Sequence, residues 1–314
     1  MGREFCFTKL KFIKKEEGEK MIRIVVPDGS MQKTVVSMFA KAGLLIIIEK
    51  KRTKEGKVAE VNWIESIALQ RPQEISHYIT HGHFDVGIVG EDWIANWGHK
   101  LPVLLSLPIG RGGNKPVKII LAVSENSPYQ RIRDLPQGCE IATEYIQLAQ
   151  RWLAENGRPD IVVIPSYGNT EHKIRFGATA IIDVSESGES LKENRLRVLC
   201  QIMESSTVVV ANPESLADKT KQPYIDLFVR LIRGAYQASQ YVMLTANVPE
   251  RALKKASEII GGLKGPSCSP LTIKGWFALQ SVVPKIDEKD IMFRLLQIGV
   301  TDIVVVRNIP TIMT

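Results

Sequence analysis

The chain has 314 residues, 44% of them hydrophobic, which is enough for two or three domains with their own cores. Its 41 basic and 34 acidic residues leave a formal charge of +7; the excess is scattered and suits a polyanionic small substrate, and no arginine-aromatic stripe argues for nucleic acid. Cys6, Cys139, Cys200 and Cys268 lie far apart with no C-x-x-C pair, which excludes a disulfide scaffold and a cysteine zinc site and suits a reduced protein.

Residues 1–20 carry charges on both sides of a short apolar patch, unlike a signal peptide, and no apolar run reaches the length of a membrane span. A cytoplasmic protein is expected. The polar run Lys14-Lys-Glu-Glu-Gly-Glu-Lys20 precedes Met21, which is the expected natural start, with residues 1–20 an extension outside the fold.

From Met21 the pattern predicts strand Ile22–Pro27, helix Met31–Ala42, strand Leu44–Glu49, a strand near Val58–Trp63, helix Pro72–His81 and strand Phe84–Val89. A helix at Asp92–Trp97 and a strand at Leu101–Leu107 follow. Gly110-Arg-Gly-Gly-Asn114 then reads as a hinge into a second α/β unit. That unit has strands Val117–Val123 and Glu140–Thr143, helix Tyr145–Glu155, and strands Ile161–Ile164 and Ala178–Asp183. Leu196–Ala211 is one long apolar stretch that returns to the first unit, ahead of an amphipathic helix at Gln222–Gln240. The remainder reads strand Tyr241–Val248, helix Pro249–Ile260, strands Ser267–Ile273 and Trp276–Val283, helix Asp287–Ile298 and strand Asp302–Val306. This β-α-β-β-α-β order is the ferredoxin-like unit.

Chemistry concentrates where strands end. Strand Ala178–Asp183 ends at an acid and runs into Val184-Ser-Glu-Ser-Gly-Glu-Ser-Leu191, whose hydroxyls, glycine and helix-start N–H groups suit a phosphate, while Asp183 suits ribose hydroxyls. A serine-rich turn capping an ordinary helix is the plainer reading of the same residues. Pro27-Asp28-Gly29-Ser30 lies at the first strand's carboxyl end, where open α/β sheets place ligands, although Ser30 also reads as a helix cap. Gly90-Glu91-Asp92 and Ser166-Tyr-Gly-Asn-Thr-Glu171 are further strand-end turns. His77, His81, His83 and Asp85 do not read as a metal centre, because no fourth ligand has a sensible spacing.

Taken together, Arg23-Ile-Val-Val-Pro-Asp-Gly-Ser30, Arg71-Pro-Gln-Glu74, Asp85-Val-Gly-Ile-Val-Gly-Glu-Asp92, Ile141-Ala-Thr-Glu144, Ser166–Glu171, Asp183–Leu191 and Ser205-Ser-Thr-Val-Val-Val-Ala-Asn212 resemble the long-form ATP phosphoribosyltransferases. The tail segments Tyr241–Leu244, Ser269–Leu271 and Gly275–Leu279 resemble that family's allosteric domain. The resemblance implies a two-lobed α/β body of the type II periplasmic-binding-protein kind with a C-terminal ferredoxin-like (ACT-like) regulatory domain. Residues 21–109 and 196–238 would form lobe I, 110–195 lobe II and 239–314 the regulatory domain. It implies the first step of histidine biosynthesis, in which N1 of ATP joins C1 of 5-phosphoribosyl 1-diphosphate with loss of diphosphate. It further implies Mg2+, feedback by L-histidine, a homo-oligomer (dimer or hexamer), and neither nucleic acid nor membrane as a partner.

By the same resemblance Asp183, Ser185, Glu186, Ser187, Gly188, Glu189, Ser190 and Leu191 would bind phosphoribosyl diphosphate. Asp28, Gly29, Ser30, Arg71, Gly90, Glu91, Asp92 and Glu171 would approach ATP, with Asp183 and Arg71 the catalytic pair. The effector would meet Thr245, Asn247, Ser267, Ser269 and Leu271. Three positions depart from the family pattern: Asp28 stands where a lysine is usual, Thr179 replaces an acid, and Glu189 sits where a small, polar or basic residue is usual. These departures keep open a second reading, a two-lobed nucleotide- or amino-acid-binding regulatory protein without turnover. A periplasmic amino-acid-binding protein shares the lobes but fits neither the N-terminal sequence nor the sugar-phosphate loop.

Overall fold

The structure, a computed structural model, describes residues 21–50, 52–109 and 115–312. The expected extension before Met21 and the expected hinge at 110–114 lie outside the described residues. The first lobe begins with β1 (Ile22–Pro27), α1 (Gln32–Lys41), β2 (Ile46–Lys50), β3 (Glu55–Val58) and β4 (Ile64–Gln70). It continues with α2 (Pro72–Thr80), β5 (Val86–Gly90), α3 (Glu91–Trp97) and β6 (Val103–Leu107). The second lobe holds β7 (Val117–Ser124), β8 (Glu140–Thr143), α4 (Ile146–Glu155), β9 (Val162–Pro165), β10 (Ala180–Ser185), α5 (Glu189–Glu193) and β11 (Leu196–Ser205). The chain re-enters the first lobe through β12 (Thr207–Ala211), α6 (Pro213–Ala217) and α7 (Gln222–Ala238).

The sheets run β2-β3-β4-β1-β5-β12-β6 and β11-β7-β10-β8-β9; the first has a parallel centre, β4-β1-β5, with antiparallel strands on both sides, and the second is parallel on its β10-β8-β9 side and antiparallel on the other. Two expectations are corrected here. A single strand near Val58–Trp63 is in fact two, β3 and β4, and β4 pairs with β1 in the middle of the sheet. Its first half, Ile64-Glu-Ser, is too polar to read as a central strand. The apolar stretch Leu196–Ala211 is also two strands, in different sheets: β11 pairs with β7, β12 with β5 and β6, and only Ser206 separates them. The return crossing is therefore at Ser206, not at Leu196.

α1 and α7 cover one face of the first sheet through Phe39, Phe228 and Ile232. On the other face a single apolar cluster continues from Val25, Ile75 and Val208 of the first lobe to Leu121, Ile141 and Leu153 of the second. Trp93 and Tyr145 stack at its centre with ring centroids 4.4 Å apart. The lobes thus share a core, with the solvent cleft to one side of it.

The third unit is β13 (Tyr241–Pro249), α8 (Leu253–Ile260), β14 (Ser267–Pro270), β15 (Trp276–Pro284), α9 (Glu288–Gln297) and β16 (Thr301–Val306), in the β-α-β-β-α-β order expected from sequence. Its sheet runs β14-β15-β13-β16. Alternation in β13 turns Val242, Leu244, Ala246 and Val248 into a core with both helices and leaves the other face open. Only Ser239 and Gln240 separate α7 from β13, and the tail comes back to α7, where the Ile312 N–H donates to the Gly234 carbonyl at 3.1 Å. Among the described residues no helix is long and apolar enough to cross a membrane.

Candidate functional site

Parallel strands share a direction, so β1, β4 and β5 of one lobe and β8, β9 and β10 of the other each bring their carboxyl ends to one sheet edge. The turns that follow are those singled out in the sequence. Those after β1, β4, β5, β8 and β9 contribute to two spaces on either side of the start of α2, whereas of the β10 end only Val184 does. One, of about 560 Å³, is walled by Ser30, Pro72 and Gly90 and by the crossing residues Ser205, Ser206 and Thr207. The other, of about 1070 Å³, lies between Arg71 and Gln73 of one lobe and Glu144, Pro165, Ser166 and Tyr167 of the other. The larger is the more open of the two.

The β10–α5 loop has the shape of a cradle. Gly188 takes φ +77°, a conformation that favours glycine, and so turns the chain into α5. The helix starts at Glu189, which puts Glu189 and Ser190 in its first turn, where an acid side chain favours the helix dipole. The Glu189 side chain is exposed and its N–H donates to Ser187 Oγ at 3.3 Å. Leu191 is buried against Ile120, Ile181 and Leu196 and anchors the loop. Asp183 Oδ1 accepts from the Val184 N–H at 2.7 Å. Glu171, expected on the nucleotide side, instead accepts a hydrogen bond from Ser190 Oγ and so joins the cradle.

Across the cleft Asp28 precedes the short 3-10 turn Gly29–Met31 that leads into α1. Lys54, from the β2–β3 turn, forms an ion pair with it. That turn is fixed: the Lys54 carbonyl accepts from the Leu69 N–H at 3.0 Å, and Lys54 itself holds φ +53°. The Lys54 ammonium keeps the Asp28 carboxyl below the usual carboxylate range, against burial, with help from the Gly29 N–H and Arg71. The Asp28 carboxylate, which stands where a lysine is usual, is thereby neutralised by a lysine 26 residues away in sequence. Arg71, at the start of α2, is exposed on the same lip.

The acids of the Gly90-Glu91-Asp92 turn have a use other than the expected approach to a nucleotide. Asp92, 6% exposed, accepts from Tyr145 Oη at 2.6 Å and from Ser205 Oγ at 2.8 Å. The Glu91 carboxylate accepts from the Ser206 N–H at 2.8 Å, and the Glu91 N–H donates to the Ser206 carbonyl at 3.0 Å. A Cβ on Gly90 would meet Asp92 Oδ1 at 2.1 Å, so the glycine is what lets that carboxylate turn inward. Asn96 Oδ1 accepts from the Leu148 N–H at 3.1 Å in the first turn of α4, and Arg151 donates to the Ala95 and Asn96 carbonyls that end α3. Together these bonds hold the two lobes in register.

The His77 and His81 rings lie 4.1 Å apart, tilted by 40°, beside Trp97 and His99; Asp85 is engaged elsewhere, and among the described residues no group of three or more His, Cys, Asp or Glu could hold a metal ion. In the third unit the strand register puts Ser267 opposite Gln280 and Gln280 opposite Thr245, and Ser269 opposite Ala278 and Ala278 opposite Asn247. The four expected effector residues on strands therefore share the open face, with Leu271 just beyond β14. Asn247 Nδ2 donates to Asp302 Oδ2 at 2.9 Å, which supplies that face with a carboxylate from β16.

Residues 71–234 match the family model described as ATP phosphoribosyltransferase, and residues 238–308 match that of its C-terminal domain. Curated proteins named ATP phosphoribosyltransferase are similar over most of the chain. The protein from Chlorobium luteolum is 35% identical over 264 residues, covering 84% of this chain and 88% of the relative. That from Koribacter versatilis is 34% identical over 284 residues, covering 90% and 96%. Among solved structures, a chain of the ATP phosphoribosyl transferase (HisG:HisZ) complex from Thermotoga maritima superposes with a TM-score of 0.57 at 24% identity, covering 68% of this chain and 99% of that one.

Proposed function

Because the chain belongs to the ATP phosphoribosyltransferase family, we propose that its two lobes divide the two substrates of that reaction between them. The enzyme condenses ATP with 5-phosphoribosyl 1-diphosphate in the first step of histidine biosynthesis. The adenine N1 lone pair forms a bond to ribose C1, and the C1–O bond breaks with its electrons leaving on diphosphate. N1 carries its lone pair at neutral pH, so the protein's task is placement and charge stabilisation rather than strong base catalysis.

In this reading the loop Ser185–Leu191 cradles the 5-phosphate, and Asp183 faces the ribose hydroxyls. The observation that carries it is the anchored loop, with Gly188 turning the chain, Leu191 fixing it and Glu171 tying Ser190. Gly29, Ser30, Arg71 and Lys54 form the polyphosphate side for ATP. Magnesium, when bound, neutralises the leaving diphosphate. With no ready-made protein cage among the described residues, phosphate oxygens and water would supply most of its ligands, as suits this ion.

Asp183→Asn removes a charged acceptor for the ribose, and a hydrogen bond to a charged group contributes about 1.5–3 kcal/mol, so kcat/KM for phosphoribosyl diphosphate should fall roughly 10- to 150-fold. Diphosphate release under saturating ATP measures it, and an unchanged value would remove Asp183 from the site. Lys54→Met leaves Asp28 uncompensated at the polyphosphate lip. The KM for ATP is expected to rise about tenfold or more, and the Asp28→Asn, Lys54→Met double variant should recover part of the loss. Equal ATP kinetics in all three proteins would rule out this role for the pair.

The open face of the third unit, with Thr245, Asn247, Ser267 and Ser269 in register and Asp302 beside them, suits an effector carrying an ammonium and a carboxylate, and we assign L-histidine to it. Activity titrated with histidine tests this directly.

A further inference from the structure

Tyr167 is 94% exposed, more than any other large hydrophobic side chain among the described residues. Its neighbours are the opposite. Ser166 and Thr170 are each 3% exposed, Thr170 Oγ1 donates to Ser166 Oγ at 3.0 Å, and the Ser166 N–H donates to the Thr143 carbonyl at 2.9 Å. Gly168 at φ +110° and Asn169 at φ +49° shape the turn between them. The ring therefore stands on a fixed base and is held out into the cleft by buried hydrogen bonds. It forms one wall of the larger space, whose other side carries Arg71 and Gln73. Along the same turn Glu171 binds Ser190 of the phosphate cradle. The aromatic face thus shares a space with Arg71 of the polyphosphate side and a turn with Glu171, which binds the phosphoribosyl loop; in the cleft reading given above, the purine lies between those two sides.

We propose that Tyr167 is the platform on which the adenine of ATP stacks, orienting N1 toward ribose C1. The assignment rests on the cleft reading given above. Stacking of a base on an aromatic side chain contributes enough that its loss costs roughly 5- to 150-fold in affinity, and it holds the base by its plane while leaving the N1 edge free. A tyrosine that buries almost nothing contributes little to the fold, so its removal separates binding from stability.

Tyr167→Ala, Tyr167→Phe and Arg71→Ala are compared with the unaltered protein by steady-state kinetics and thermal melting. The expected result for Tyr167→Ala is a KM for ATP raised roughly 5- to 150-fold, a KM for phosphoribosyl diphosphate within about twofold, and an unchanged melting temperature; Tyr167→Phe restores the KM. A normal KM for ATP in Tyr167→Ala, with a raised one in Arg71→Ala, overturns the platform and leaves the cleft assignment standing. Normal values in both variants overturn the two together. A lowered melting temperature with a normal KM overturns the platform in favour of a structural role.

Discussion

Asp85→Ala is expected to destabilise the protein by about 3 kcal/mol, the low end of the range for removing one partner from a buried ion pair. Asp85 is fully buried at the start of β5. It accepts from the Arg23 N–H at 2.7 Å, Arg23 Nε and Nη2 at 3.2 Å, Lys221 Nζ at 2.7 Å and Ser215 Oγ at 2.6 Å. Burial alone would push the carboxyl up; the hydrogen bonds from Arg23, Lys221 and Ser215 outweigh it and hold the group at about 2. Removing the carboxylate strands a guanidinium and an ammonium. The low-end figure reflects the solvent that reaches them, since the Arg23 side chain is 32% exposed. With the folded pKa below the ordinary carboxylate value, the contribution is complete above about 3.8 and is lost as pH falls from there toward 2. Urea midpoints at pH 6 and pH 3 measure this. The gap between Asp85→Asn and the unaltered protein should narrow at the lower pH, and a constant gap would refute the linkage. Asp85 lies at the edge of the sheet away from the cleft, so activity per folded molecule should not change.

Asp92→Ala should act on turnover as well as on folding. It removes the carboxylate that Tyr145 Oη and Ser205 Oγ donate to, a cost of about 2–3 kcal/mol for buried groups bonded to a charge. A second effect follows from geometry. If N1 and C1 are carried by different lobes, a shift of about 1 Å in lobe registry costs on the order of 100-fold in rate. The expectation is a kcat lowered roughly 10- to 100-fold, with each substrate alone binding nearly as before, measured by calorimetry beside steady-state kinetics. An unchanged kcat would show that the lobes keep their registry without Asp92.

The same residue shows where sequence reading succeeds and where it stops. The backbone of Ser185–Leu191 is legible because its determinants are local: a strand end, a glycine with positive φ and a helix start within a few residues. The acids after Gly90 were equally visible, but their role depends on Tyr145 and Ser205, which lie 53 and 113 residues from Asp92. A carboxylate at a strand end looks the same in sequence whether it faces a ligand or a neighbouring lobe. Lys54 was missed for a similar reason, since it reaches Asp28 only once β3 has paired with β4 beside β1. β4 itself escaped because its polar first half does not alternate as a central strand should. The third unit was read almost completely, its alternation along β13 and its helix faces being periodic signals that need no distant partner.

α7 has one more consequence. Its 17 residues span about 25 Å as an unbroken helix. Lys221 rivets its near end to Asp85, and its apolar stripe is embedded under the first sheet. With two residues leading on to β13 and the tail strapped back at Gly234, the third unit is mounted on an axle rather than hung from a string. A twist of that unit would be felt along the helix beneath the first sheet, and a floppy linker inserted at Ser239 would dissipate it.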